Sequence, residues 1–246
     1  MRLRLLSLSV LVLVACSEKK ATPIPRAQPQ PLEPLERVVA DAGDDRDRLF
    51  DVVPLPPVGP PPPAGATVVT LEGDVLPEIP ATGVLLLVAA NPEVYLSQVA
   101  PLLEKLADTK REVWLKHPDA DIAFQLTLRD AAQFQTWLDE PVPGKLRVIH
   151  RADGFELQTN LGKLPGGDPN GPTVPVRGGK MDLTTLQRGF GRIQARFKAA
   201  PDLCFLPSFG MELHQVARAM AANYVKPDNA FFNSICLVYP RAAVPK

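Results

Sequence analysis

Several stretches carry side chains that can do chemistry, and their spacing limits what that chemistry is. His117-Pro118-Asp119-Ala120-Asp121 gathers one imidazole and two carboxylates within five residues. Those are metal-ligand types, but a metal site draws its ligands from more than one segment in a defined geometry. His150 and His214 are distant in sequence and lack a neighbour at ligand spacing. The stretch is therefore expected to be a turn between strands, and no metal ligand is assigned. Ser208, within Pro207-Ser208-Phe209-Gly210, departs from the Gly-x-Ser-x-Gly nucleophile elbow. Asp168-Pro169-Asn170-Gly171 starts like a calcium loop but lacks the later spaced oxygens and the closing glutamate. Gly162, Gly166, Gly167 and Gly171 make no phosphate cradle, because no Lys-Ser or Lys-Thr pair opens a following helix. No pair of carboxylates is placed for acid–base work either. No catalytic residue, cofactor or enzyme activity is assigned.

The cysteines say more. Cys16 follows a basic start, Met1-Arg2-Leu3-Arg4, and an apolar or small run from Leu5 to Ala15. This is the layout of a secretion signal, and the run is short of the roughly 20 residues that span a bilayer as a helix. Its ending, Leu13-Val14-Ala15-Cys16, resembles the lipobox of bacterial lipoproteins. The resemblance implies cleavage before Cys16, diacylation of Cys16, and a mature protein that starts at this lipidated cysteine, tethered to a membrane facing the periplasm. Ser17 in the following position resembles outer-membrane sorting. Cys204 and Cys236 remain, in an exported chain where oxidation is permitted. Each sits in a strand-like run, with one helix between them. Parallel neighbouring strands would bring the two within disulfide range. Buried free thiols are the other outcome, and both stay open at this point.

Removing residues 1–15 takes away two arginines and leaves 25 basic against 27 acidic side chains. That balance argues against a nucleic-acid partner, which needs clustered positive charge. Twelve of the 28 prolines lie between Pro23 and Pro63. Residues 17–66 have no apolar period and a single aromatic residue, Phe50, so they cannot bury enough surface to offset ordering entropy. Residues 16–66 are therefore expected to be a disordered linker, an extended stalk reaching about 150 Å at polyproline rise.

Beyond Thr67 the apolar spacing alternates between strand and helix. Val68–Leu71 and Gly83–Ala90 read as strands, and Ser97 as the cap of a helix striped by Val99, Leu102, Leu103 and Leu106. Val113, Leu115, Phe124, Leu126 and Leu128 follow a period of two, and Arg129 to Glu140 reads as a helix striped by Ala131, Phe134 and Leu138. Leu146 to Gln158 reads as a hairpin turning at Asp153-Gly154. Leu161 to Lys180 holds six glycines and four prolines and is expected to be a loop. A helix capped by Asp182 follows, then strand Leu203–Leu206, a helix from Leu213, and strand Ile235–Tyr239. The fold class is α+β: two tandem β-β-α-β-α-β-like units, 67–144 and 145–246, or one merged unit, with helices on one face. The two halves share a rhythm, with no residue-level identity assigned between them.

From Leu146 to Tyr239 the order of elements resembles the periplasmic domain of the ExbD/TolR family. The resemblance rests on the hairpin around Ala152-Asp153-Gly154-Phe155, the helix from Asp182 and the strand Leu203-Cys204-Phe205-Leu206. It continues through Gly210-Met211-Glu212-Leu213-His214-Gln215-Val216 and the final strand from Ile235. It implies that fold, envelope protein partners, and a role in a transport or envelope-energising complex, with a homodimer left open. The family's membrane helix and proton-handling aspartate have no counterpart in this sequence, so proton conduction is not implied. Ser208 stands where the family often carries an acidic residue. The alternative reading is a small ligand or cell-wall glycan bound through the 161–180 loop.

Overall fold

The alternating and continuous apolar runs all enter one sheet. The computed structural model describes residues 56–197 and 202–239. The signal segment, Cys16 and the linker up to 55 lie outside the described residues. The strands of the first half are β1 (Thr67–Leu71), β2 (Leu85–Ala89), β3 (Val113–Lys116) and β4 (Ala123–Arg129). Those of the second half begin with β5 (Leu146–Arg151), β6 (Gly154–Thr159), β7 (Gly162–Lys163), β8 (Val174–Arg177) and β9 (Lys180–Met181). Then come β10 (Asp202–Leu206), the short hairpin β11 (Tyr224–Lys226) and β12 (Asn229–Ala230), and β13 (Ser234–Val238). The described helices are α1 (Leu96–Asp108), α2 (Ala131–Asp139), α3 (Leu183–Arg196) and α4 (Leu213–Ala221). The fold is mixed α+β.

The sheet runs β1-β2-β3-β4-β13-β10-β5-β6-β8-β9, with β7 also on β6. Both halves thus share one eleven-stranded sheet, joined where β4 pairs in parallel with β13. Two expectations change. β1 is parallel to β2, so the first half does not open on a hairpin. The last strand of the first half, expected to abut or be shared with the 145–160 hairpin, is β4 and pairs with β13 instead. β10 and β13 thus lie inside the sheet with their continuous apolar runs covered on both faces.

A third expectation, helices on one face only, is also overturned. Leu203, Phe205, Ile235 and Leu237 join the main core with α1, α3 and α4. Cys204 and Cys236 alternate with them and form a second cluster with Trp137 of α2. Strand side chains alternate between faces, so α2 must cover the opposite side. Trp137 is 1% exposed and is the buried residue of that helix, while Ala131 of the expected stripe is exposed. α1 likewise starts earlier than read: Tyr95 is its N-cap, and the Gln98 side chain closes a capping box by accepting from the Tyr95 N–H at 2.8 Å.

The folded part also begins earlier than Thr67. Gly59 is buried, and a Cβ placed on it would lie 2.8 Å from Phe124 Cε1. The Ala123 N–H donates to the Pro60 carbonyl at 3.0 Å. Gly59 and Pro60 of the expected linker therefore pack against the start of β4. A proline chain lacks donors but keeps its carbonyls and rings, and here one carbonyl meets a free strand N–H.

The two halves hold a related pair of arms. β2-α1-β3 and β10-α4-β13 are both strand–helix–strand units with parallel neighbouring strands. The residues between strand and helix number six in each, 90–95 and 207–212. The helices open on matching sequence, Leu96-Ser97-Gln98-Val99-Ala100 and Leu213-His214-Gln215-Val216-Ala217. These segments meet antiparallel: Leu96 N–H donates to Met211 O at 3.0 Å, and Leu213 N–H to Val94 O at 2.8 Å. The two bonds are equivalent under exchange of the arms. β1, β2 and β3 are mutually parallel, as are β5, β10 and β13, and the antiparallel β3–β4 pairing sets the two triplets in opposite directions. A local two-fold axis thus relates the arms, with β6 to β9 and α3 inserted in the second half.

Candidate functional site

That insertion builds a concavity. Asp182 starts α3 by accepting from Thr185 N–H at 2.9 Å, while Arg177 pairs with its other oxygen at 3.3 Å. Leu186, Phe190 and Ile193 face the core, where Phe190 meets the rings of Phe205 and Phe232 edge-on. Gly189 lets the helix approach the sheet closely. A Cβ there would lie 2.4 Å from Leu157 Cδ1, so the sequence-level cost of this helix glycine has a packing reason.

The facing wall is the chain from β6 to β8, which the sequence reading treated as loop. It is stitched rather than free. Thr173 Oγ1 donates to Leu164 O at 2.9 Å and accepts from Leu157 N–H at 3.1 Å. Leu164 N–H donates to Leu157 O at 2.8 Å, and Lys163 Nζ donates to Gly171 O at 2.5 Å. The far end folds into the β8–β9 hairpin. Gly154 permits the approach of β8, since its φ of 142° is open to glycine and a Cβ would strike Val174 O at 2.1 Å.

Between these walls lies a cleft of about 500 Å³. Leu164, Val174, Ile193 and Phe197 give it apolar surface, and Arg188, Arg192, Arg196 and Lys163 give it charge. Among the described residues, no Asp or Glu lines it. The three arginines follow one another at intervals of four along α3 and are exposed. At about 100° per residue they form one stripe beside the buried face, directed along the cleft wall.

The residues singled out in sequence lie elsewhere. His117 to Asp121 is the β3–β4 turn, as its reading as a strand-linking turn requires. His117 is buried at 2% exposure and its Nδ1 accepts from Asp119 N–H at 3.1 Å. Burial pushes its imidazole below the usual histidine range, partly countered by Asp119. Asp119 takes a two-bond grip from Arg218 of α4, at 2.8 and 3.2 Å, which holds its carboxyl below the ordinary value. Asp121 pairs with Lys116 at 3.0 Å. His214 reaches toward Ala89 O at 3.3 Å. Among the described residues, no group of three or more His, Cys, Asp or Glu side chains is gathered as a metal would need.

Ser208 and His150 do meet: Ser208 Oγ, just past the end of β10, lies 2.8 Å from Nδ1 of His150 in the parallel strand β5. Burial lowers the His150 imidazole. Ser208 is exposed and His150 half-buried, and among the described residues no carboxylate is seen to orient the ring, so the triad logic is incomplete. Asp168 Oδ1 accepts from Asn170 N–H at 2.9 Å in a local turn. Cys204 and Cys236 form a disulfide.

No family model matches the chain, and no curated protein or solved structure matches it either. Sequence reading missed two features that it could have found. The Arg-x-x-x-Arg-x-x-x-Arg run of 188–196 is visible at helical spacing, and the Leu-x-Gln-Val-Ala pair is visible as an internal match.

Proposed function

We propose that the chain is a lipid-anchored cell-envelope protein acting by protein contacts in an ExbD/TolR-like transport or envelope-energising complex. It is tethered at Cys16, with the outer membrane favoured by Ser17, and it conducts no protons itself. One observation carries this reading. The hairpin β5–β6, α3, β10, α4 and β13 follow in the order on which the resemblance rests, with β5, β10 and β13 parallel. The paired arms support a contact role, because Tyr95 and Phe209, both large and exposed, lie on the segments where the arms meet. Among the described residues, no helix is long and apolar enough to cross a membrane. Crosslinking in intact cells, followed by capture of the full chain, tests the reading. Recovery of proton-driven motor subunits is the expected result; their absence from captured, lipidated protein sinks it.

A second reading is favoured by the cleft beside α3: a ligand held between α3 and the 161–180 segment. A few convergent polar groups over apolar surface, in a volume of this size, is the usual form of a small-molecule site.

A further inference from the structure

The cleft's charge says what kind of ligand that second reading requires. We propose that it binds an organic anion, an apolar body carrying phosphate or carboxylate, gripped by Arg188, Arg192 and Arg196.

The contrast with five other described arginines carries the inference; the sixth, Arg129, has a buried Nε without a hydrogen-bond partner but does not line the cleft. Arg151 pairs with Asp153 and Glu156, Arg177 with Asp182, and Arg218 with Asp119. Arg111 donates to the carbonyls of Pro80, Thr82 and Gly83, and Arg147 donates to Thr159 O. Among the described residues, Arg188, Arg192 and Arg196 make no ion pair, and all three line one concave wall. The chain as a whole balances 27 basic with 27 acidic side chains, so the local excess is not a matter of composition. Like charges at i and i+4 destabilise a helix. Two such pairs in succession, with no acidic residue on the opposing wall, leave a field that an anion would neutralise.

Guanidinium fits this use. Its planar fork donates to phosphate or carboxylate oxygens two at a time, and it is less strongly hydrated than an ammonium. Successive arginines stand about 6 Å apart along the axis, at 1.5 Å per residue. One anionic group therefore meets two neighbouring forks, while a longer ligand reaches the third. Lys163 adds positive charge from the other wall, where its bond to Gly171 O fixes it. Leu164 and Phe197 supply the surface for an apolar body. This is not a glycine-loop phosphate cradle, since the charge comes from helix side chains.

The inference rests on the cleft being a ligand site, and the test separates the two ideas. Mature full-length protein in detergent is titrated calorimetrically with 1-naphthyl phosphate, 1-naphthoate and neutral 1-naphthol. At least one anion should bind tenfold or more tightly than the naphthol and should weaken as salt rises. Arg192→Gln should weaken that anion about tenfold, the loss of one charge-assisted contact. Its melting temperature should stay at or above that of the parent, which excludes unfolding as the cause. Phosphatidylglycerol vesicles are added as competitor: displacement of the anion assigns it to a lipid headgroup, and no displacement assigns it to a soluble ester or acid. Equal binding of naphthol and anions overturns the anion inference and leaves the ligand site. No binding by any of the three overturns both.

Discussion

Cys204 and Cys236 occupy paired positions on the parallel strands β10 and β13, with Cα atoms 4.3 Å apart and their disulfide packed against Trp137. The bridge fastens the two central strands on the face that a single helix covers. With a sequence separation of 32, loop entropy assigns it about 3–4 kcal/mol. Replacing both cysteines by serine also buries two hydroxyls beside an indole. The double variant should melt roughly 10 °C or more below the parent, for a domain of this size. Thiol counting on denatured, unreduced protein should find neither Cys204 nor Cys236 free. Two free thiols would remove the bridge.

The amino-terminal boundary gives a second expectation. A chain starting at Thr67 loses the Pro60 carbonyl, leaves the Ala123 N–H without that acceptor and uncovers Phe124 beside Gly59. One net hydrogen bond and part of an aromatic face amount to roughly 2 kcal/mol. Denaturant unfolding should show that loss relative to a chain starting at Pro56. Equal midpoints would mean that the 56–66 segment packs without stabilising.

How far the sequence spoke follows from these cases. Stripes such as Leu186, Phe190 and Ile193 located the helices, because burial imposes a 3.6 period. Runs such as Ile235-Cys236-Leu237 announced strands buried on both faces, yet they did not say which helix covered which face. That depends on strand parity across β10 and β13, a tertiary fact. The short strands β8 and β9 were hidden in glycine- and proline-rich sequence, where ladder bonds rather than apolar pattern make the strand. The arginine stripe was legible as spacing, but its value appears only with the opposing wall in place.

His117 gives the pH dependence. Burial lowers its folded pKa from the ordinary 6.5, so the unfolded chain binds a proton first as pH falls. Stability is then full above about pH 6.5 and declines on acidification through the folded value. Asp119, lowered by Arg218, adds a loss of the same sign, in its own window below the ordinary 3.8. The melting temperature should fall between pH 7 and 5, and His117→Gln should flatten that slope while costing stability at pH 7. An unchanged slope in the variant would assign the effect elsewhere, His150 being the next candidate.

Anchoring at Cys16 is tested on the whole cell product. Cys16→Ser should yield unacylated protein that leaves the detergent phase, since each buried acyl CH₂ contributes about 0.8 kcal/mol of membrane attachment. Mass analysis of the parent's mature amino terminus should show a lipidated residue at position 16. An intact Met1 would sink the anchor and the envelope reading with it.

Lys145 is 3% exposed and works as the stop of α2. Its ammonium donates to the carbonyls of Trp137 and Glu140 and to the Glu140 carboxylate, and lies 5.0 Å from the centre of the Trp137 ring. The last carbonyls of a helix lack intrahelical partners, and this cation satisfies two of them while favouring the negative end of the dipole. Lys145→Met keeps the stem and removes the charge, so no unpaired cation is left behind. The cost is then that of the stranded carbonyls, about 2–3 kcal/mol. Glu140 is half exposed, and Glu140→Gln should cost under about 1 kcal/mol, as surface pairs do. Urea unfolding of both variants separates the contributions. If the two substitutions cost the same, the ion pair and not the helix cap is what Lys145 supplies.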